Sequence, residues 1–452
     1  MSNDNSGFEK NLGHFFKFQE FGTTLHTEII AGTSTYLALV PSFILIPAVL
    51  SKSGIDPSAV LFATVVAASF ATLLMGLLAN LPFAVSAGIE IAGLFAFVVC
   101  GTLHMSWQEG LGIVFISGLL CLIFTALSIR KNIIDSIPPG LKKAIGTSVG
   151  VFVATIGLLL AHIIVFNGSR IDFGALSASS LFTNSAFVLY SGLFLSVVFS
   201  ITSFRFPGGM LVAILIGALL CSFFGIKADT PPQFSSKMLD ALGRLRLEIV
   251  FNPVSWSPII VFFIIDFLGG IGKFIGLTAN TNIQDDKGNV PNLTRALYVD
   301  GAGTVIASFL GTSSLIAYVE SAVGIEAGGR TGCTSVVCGL LILASLVLTP
   351  VMRWIPAEAV AGVLLFVGYL LLPWVGGNGI DQNTRRFDIY IAVVMGIISF
   401  ITFSLDKALA FGFWAYFIQS FTHTEVTPTG RVWLGGIAAI LTGTIVWQLI
   451  KT

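Results

Sequence analysis

Four carboxylates stand where ionised side chains are costly. Glu90, Asp266, Asp300 and Glu320 each lie well inside an apolar run. A charge at the bilayer centre costs roughly 2.5–3.5 kcal/mol, so the four together cost on the order of 10 kcal/mol unless they are paired, hydrated or protonated. Such groups serve proton or ligand traffic, or they hold helices together by hydrogen bonds. Glu320 lies in LIAYVESAVG, after Gly311-Thr312-Ser313-Ser314, a poor helix start and a good extended lead-in. An extended-then-helical segment would leave free N–H groups near mid-membrane, polarised to attract ligand acceptor atoms. A carboxylate beside them accepts the N–H donors of a planar heterocycle. The alternative for Glu320 is an ion pair with Arg330 at the membrane edge.

Glu90 follows Ala84-Val85-Ser86-Ala87-Gly88, another small and flexible lead-in, and could face Glu320 across a shared cavity. Two carboxylates so placed compete for a proton and tie occupancy to pH. The alternative is a protonated Glu bonding two helices. Asp266 lies in VFFIIDFLGGIGKFIG, with Lys273 seven residues on and so on the same helical face. The pair is either a structural Asp–Lys bridge or a proton site whose affinity Lys273 shapes. Asp300, in RALYVDGAGTV, is either a proton site or a helix-packing hydrogen bond.

Other chemistries lack their parts. His26, His104, His162 and His423 fall near span ends and His14 in the polar N-terminus, so no His relay is expected. No phosphate-binding Gly-rich loop, His-Glu-x-x-His or Gly-x-Ser-x-Gly occurs, so neither an ATP-driven pump nor a hydrolase is expected, and no cofactor. The five cysteines, Cys100, Cys121, Cys221, Cys333 and Cys338, sit in apolar stretches with no metal-site spacing.

These carboxylates need a membrane-embedded frame. The chain has 452 residues, 55% hydrophobic and only 10% charged, against about 25% charged in a soluble domain. Mean hydropathy is +0.93, and net charge is zero, which offers nothing to nucleic acid. Apolar runs fall at 29–50, 58–80, 84–100, 111–129, 144–165, 186–202, 209–225, 257–279, 294–310, 313–327, 333–351, 357–373, 388–420 and 432–449. That predicts an all-α polytopic membrane protein with about fourteen spans. The thirteenth run is interrupted at Asp406-Lys407. Lys10, Lys17, Arg130, Lys131, Lys142, Lys143, Arg385 and Arg386 fall on one side of such a layout, which places both termini in the cytoplasm of the plasma (inner) membrane.

A polar loop, 226–256, divides the chain into halves of about seven spans, and an odd number per half inverts the second half. PFAVSAGIEIAGLF (82–95) and SLIAYVESAVGIEAG (314–328) occupy matching third and tenth positions. Both are short, small-residue-rich and carry a buried carboxylate. The expected architecture is therefore a 7+7 inverted repeat with short, broken third and tenth segments.

Several stretches resemble a known family. TEIIAGTSTYLAL (27–39), LLANLPFAVSAG (77–88) and GIVFISGLLCLIF (112–124) look like the first half of purine permeases. IDFLGGIGKFIG (265–276), RALYVDGAGTVIASFLGTSS (295–314) and AYVESAVGIEAGGRTG (317–332) look like the second half. The family is the nucleobase/ascorbate transporter superfamily, in its adenine–guanine–hypoxanthine permease branch, and the resemblance covers most of residues 20–375.

That resemblance implies a cytoplasmic N-terminal segment, 1–27, and a core domain from spans 1–4 (28–129) and 8–11 (257–351). It implies a gate domain from spans 5–7 (137–225) and 12–14 (357–449). It also implies a homodimer in lipid, an elevator-like core movement and purine uptake driven by protons rather than sodium. By position, Glu320 matches the tenth-span Glu that grips the base, Asp266 the first eighth-span acidic position, and Asp300 a ninth-span Asp. Four positions depart from the branch. Gly269 stands where a second eighth-span Asp is usual, Glu90 where Gly is usual, Lys273 where Thr is usual, and Ala92 where Asn is usual. Glu90 is then expected to supply the carboxylate missing at Gly269.

The expected substrate-binding set is Glu320, Glu90, Tyr318, Val319, Ser321, Ser86 and Gly88, with Phe83, Tyr318 and Phe267 as stacking partners. The expected proton-coupling set is Asp266, Asp300, Glu90 and Lys273. The competing readings are an anion (sulfate/bicarbonate-like) transporter, or a uracil/xanthine permease, on the same 7+7 fold.

Overall fold

The computed structural model describes residues 4–127, 138–161, 163–167, 170–172, 197, 209–223, 225–226, 236–278, 281–284, 290–348, 354–370, 372, 386–421 and 428–451. The sixth expected span, 186–202, apart from Val197, lies outside these residues, as does part of the 226–256 loop.

Two short N-terminal helices, α1 (Asp4–Phe16) and α2 (Phe18–Phe21), precede α3 (Leu25–Leu39) and α4 (Ser42–Leu50). Helix α5 (Pro57–Leu74) starts on a strong local signal. Asp56 accepts from the Ser58 N–H at 2.8 Å, and Pro57 occupies the first position, where its missing N–H costs nothing. It ends in a π turn, Met75–Ala79. Strand β1 (Val85–Ala87) leads into α6 (Ile89–Gly93), which continues as a π-helix to Thr102. Helix α7 (Trp107–Ala126) opens with a reciprocal capping box between Ser106 and Glu109. Then come α8 (Pro139–Leu160), the small hairpin β2 (Val165–Asn167) and β3 (Arg170–Asp172), and α9 (Gly209–Phe223).

The second half runs α10 (Trp256–Thr278), α11 (Leu293–Leu310), β4 (Leu315–Ala317), α12 (Ser321–Glu326) and α13 (Gly332–Ala344). It closes with α14 (Ala357–Leu370), α15 (Arg386–Thr402), α16 (Leu405–Gln419) and α17 (Pro428–Lys451). The apolar run at 388–420 is two helices, and the break falls at Phe403-Ser404 rather than at Asp406-Lys407. Phe403 has φ of +46°, and the Ser404 hydroxyl bonds to Asp406. Asp406 therefore sits in the first turn of α16, where the helix dipole favours an acid.

Among the described residues, four helical stretches are long and apolar enough to cross a membrane: Leu25–Ser53, Pro57–Ala79, Trp107–Ala126 and Pro139–Leu160. Five shorter apolar helices accompany them: Ile89–Thr102, Val212–Phe223, Pro253–Phe267, Gly332–Val347 and Glu358–Tyr369. The packing joins the two halves. Helices α3, α5 and α7 pack chiefly on α10, α11, α12 and α13, while α8 packs on α14 and α15 and α9 on α14. Close approach is set by glycine where α5 meets α13. A Cβ on Gly332 would lie 2.0 Å from the Gly76 carbonyl oxygen, so only a hydrogen fits there.

The N-terminal residues read from sequence as a polar segment form helices with a docked apolar face. Phe16 and Phe18 are buried with Cys333, and Asn80 and Asn282 donate to the carbonyls of Phe16 and Phe21.

Candidate functional site

Two extended segments meet inside the apolar core. Strands β1 and β4 pair antiparallel, with Val85 opposite Ala317, Ser86 opposite Ile316 and Ala87 opposite Leu315. Extended backbone at membrane depth must satisfy its polar groups within the protein, and here it does so at several points. Gly88 N–H donates to the Ser314 carbonyl and Tyr318 N–H to the Ala84 carbonyl, both at 3.0 Å. Ser321 Oγ accepts from the Ala84 N–H at 3.0 Å. The Thr72 hydroxyl donates to the Val85 carbonyl and accepts its N–H, and Thr304 does the same for Leu315. Pro82 and Gly88 on one side, and Gly311 with φ of +105° on the other, keep these stretches out of helix.

Glu320 stands where β4 gives way to α12, as the N-cap residue. The free N–H groups expected there are occupied. Ser321, Ala322 and Val323 donate to the carbonyls of Tyr318, Val319 and Glu320 at 2.9–3.2 Å, because tight turns connect strand to helix. The other crossing differs. Among the described residues, the N–H groups of Ile89, Glu90 and Ile91 find no acceptor, and Gly88 supplies no side-chain cap. Only the third segment therefore presents an open helix start, and Glu90 is in its first turn.

Lys273, on α10, points at Glu90. Its Nζ lies 3.8 Å from Glu90 Oε1, with the side chains 17% and 11% exposed. Glu320 is within electrostatic reach of both. Glu90, Lys273 and Glu320 thus share one neighbourhood. This corrects two sequence alternatives: the ion partner of Lys273 is Glu90 rather than Asp266, and Arg330 does not pair with Glu320. The Arg330 guanidinium donates to Asn282 Oδ1 and to the carbonyls of Ile325 and Gly329.

Asp266 is buried one step away. It accepts from the Ser314 hydroxyl, which in turn lies 3.0 Å from the Thr304 hydroxyl. Asp300, also buried, is one turn before Thr304 on α11. Between Asp266 and Lys273 on the same stripe of α10 is Gly269, whose ideal Cβ would meet nothing within 4 Å among the described residues. Among the described residues, the helix face carrying these three opens onto space at its middle.

The remaining expected site residues divide by environment. The Tyr318 hydroxyl donates to the Ala87 carbonyl at 2.5 Å and lies against the hydroxyls of Ser42 and Ser86. Val319 is 45% exposed, while Ser86, Gly88 and Ser321 are buried within the crossing. Phe83 is fully buried edge-on to Phe274, and Phe267 packs on Phe124 and Phe263. Among the described residues no cluster of three or more His, Cys, Asp or Glu could hold a metal ion.

Sequence reasoning passed over Glu28, a fully buried acid in α3. Its carboxylate accepts from the backbone N–H of Arg330 (2.9 Å), Thr331 (3.4 Å) and Thr334 (3.0 Å), and from the Thr334 hydroxyl (2.6 Å). It clamps the Gly-Gly-Arg-Thr-Gly turn to the first membrane helix. The signal was an acid at the mouth of an apolar run with a distant partner, and spacing along the chain does not reveal such a partner.

Residues 26–406 match the sequence profile of a family described as "Permease family". The chain is 33% identical over 430 residues to the adenine permease AdeQ of Escherichia coli, covering 93% of this chain and 94% of that protein. It is 30% identical over 383 residues to the guanine/hypoxanthine permease GhxP of Escherichia coli O157:H7, covering 82% and 83%. Among solved structures, the transmembrane domain of the cyanobacterial bicarbonate transporter BicA superposes with a TM-score of 0.66 at 13% identity, covering 87% of this chain and 98% of that one. At that identity the likeness concerns the fold alone, which is that of a helical, multi-pass membrane transporter.

Proposed function

The chain belongs to the nucleobase/ascorbate permease family and is a transporter rather than an enzyme, and from that premise we propose that it carries purine bases across the membrane together with protons. The observation that carries this reading is the grouping of Glu320, Glu90 and Lys273 beside the paired strands β1 and β4. A purine is flat and apolar on its faces and polar on its rim. Glu320 accepts from a ring N–H, and the open start of α6 donates to a ring nitrogen or oxygen. Tyr318, Val319, Ser321, Ser86 and Gly88 shape the rim of the site, and Phe83 and Phe267 back it with aromatic surface. Glu90 supplies the second carboxylate near the open face at Gly269.

Asp266, with Asp300 behind it, takes the proton. A protonated Asp266 moves through the low-dielectric barrier at lower cost than an ionised one. Its bond to Ser314, in the lead-in to β4, links its protonation state to the strand that precedes Glu320. The moving unit is a core domain of residues 28–129 and 257–351. It slides in elevator fashion against a gate domain of 137–225 and 357–449, which holds a second copy of the chain. The association of α3, α5 and α7 with α10–α13 supports this division. Fourteen spans in a 7+7 inverted repeat, with both termini in the cytoplasm of the plasma membrane, complete the reading.

The test is uptake of radiolabelled hypoxanthine into liposomes carrying the purified chain, with an inward-acid pH gradient. Competition by adenine, guanine, xanthine and uracil is measured at several pH values. Gradient-dependent accumulation with purines as the effective competitors supports the proposal. Sulfate or bicarbonate flux without purine uptake overturns it in favour of an anion transporter, and uracil or xanthine as the sole competitors would identify the other permease class.

A further inference from the structure

Lys273 and Glu90 form an ion pair that neither residue completes. The 3.8 Å separation exceeds hydrogen-bond length, and among the described residues neither the ammonium nor the carboxylate makes a hydrogen bond to another group. A largely buried ion pair left at Coulombic distance does not recover its desolvation cost, and it is stabilised when further hydrogen bonds fill its remaining donors and acceptors. The pair is 17% and 11% exposed, so it is reachable. One turn before Lys273 on the same face, Gly269 leaves open space, among the described residues, where any other residue would place a side chain. A ligand held by Glu320 through a ring N–H can extend a substituent over Gly269 toward the Lys273 ammonium.

That ammonium is a donor with no acceptor capacity. The group it meets must therefore be an acceptor. A carbonyl oxygen on the ring qualifies, and the ring N–H beside such a carbonyl suits Glu90. An exocyclic amino group at the same ring position is donor-only, and facing Lys273 it would leave donors opposed. Starting from the purine reading of this site, we propose that the Glu90–Lys273 pair over Gly269 selects 6-oxopurines against 6-aminopurines, with Lys273 reading the oxo group. A site built around a specific hydrogen bond rejects the analogue lacking it far more strongly than a shape difference alone does.

The experiment measures direct binding of radiolabelled hypoxanthine and, separately, of radiolabelled adenine to the purified full chain. The native protein is compared with Lys273→Met, Lys273→Arg and Gly269→Val. Each variant is first checked for a monodisperse elution profile and a native-like melting temperature. The native chain should prefer hypoxanthine to adenine by about tenfold or more. Lys273→Met should weaken hypoxanthine by about tenfold or more and move adenine by less than about threefold. Lys273→Arg keeps donors and charge and should retain most of the preference, and Gly269→Val, which fills the open space, should reproduce the selective loss. If Lys273→Met does not fold, the other two variants decide the matter. Equal weakening of both bases, or an unchanged ranking in folded Lys273→Met or Gly269→Val, overturns the assignment of Lys273. A native chain that prefers adenine overturns it as well. Absence of any purine binding by the native chain is a different result, and it removes the purine reading on which this assignment stands.

Discussion

Replacing Glu28 tests whether the buried clamp between α3 and the turn before α13 holds the transporter together. Four donors converge on its carboxylate, one at Oε1 and three at Oε2. In Glu28→Gln one oxygen survives and the other becomes an NH2 group. That group meets either the Arg330 N–H or the donors of Thr331 and Thr334. At least one buried donor is then unpaired, which costs about 1–3 kcal/mol. Glu28→Ala removes all four contacts, and allowing for water entry the loss is about 4 kcal/mol. An unfolding entropy of about 2 cal/mol/K per residue converts roughly 1 kcal/mol into 1 °C for a chain of this length. The expected shifts are therefore about 1–3 °C for Gln and about 4 °C for Ala. Fluorescence-monitored melting in detergent reads them, with hypoxanthine uptake in liposomes as the second measurement. A Glu28→Ala protein that melts with the native chain would show that the contacts contribute nothing net, and the clamp would have to be abandoned.

Four further outcomes follow, three from the site and one from helix packing. Glu320→Gln keeps its shape but loses a charge-assisted acceptor, so base binding should weaken by about 10–100-fold; native-like binding would remove Glu320 from the site. Asp266→Asn should abolish accumulation driven by a pH gradient while leaving some base binding, and acid-stimulated uptake in that variant would count against Asp266 as the proton carrier. Glu90→Gln should change the pH dependence of uptake, and an unaltered pH profile would refute its role as the replacement carboxylate. Gly332→Ala forces a methyl to 2.0 Å from the Gly76 carbonyl and disturbs the 2.8 Å bond from Gly332 N–H to Asn80. It should destabilise by about 1–3 kcal/mol, read by the same melting assay.

Much of the frame was legible because its causes are local. A lipid-facing surface needs no charge, so composition alone announced the membrane. Small residues marked the extended lead-ins at 84–88 and 311–314. The acids at 90, 266, 300 and 320 stood out because a charge in an apolar run is costly wherever the run ends up. The partners of those acids were not legible. Lys273 shares a helical face with Asp266, and the i,i+7 spacing suggested a bridge, yet its ammonium turns toward Glu90 on a segment far away in the chain. Arg330, ten residues after Glu320, is held instead by Asn282 and by the carbonyls of its own turn.

By itself, then, the order of residues determined that this chain is helical and membrane-embedded, that two short segments interrupt the helices, and which side chains are too polar to be there without a purpose. Those are properties of single residues and their immediate neighbours. Tertiary structure decided which backbone donors remain open among the described residues, that β1 bonds to β4, that Glu28 clamps a turn some three hundred residues away, and that Gly269, between Asp266 and Lys273, faces open space among those residues. Each of these depends on two distant segments being brought to within a few ångströms, and no local pattern encodes that distance.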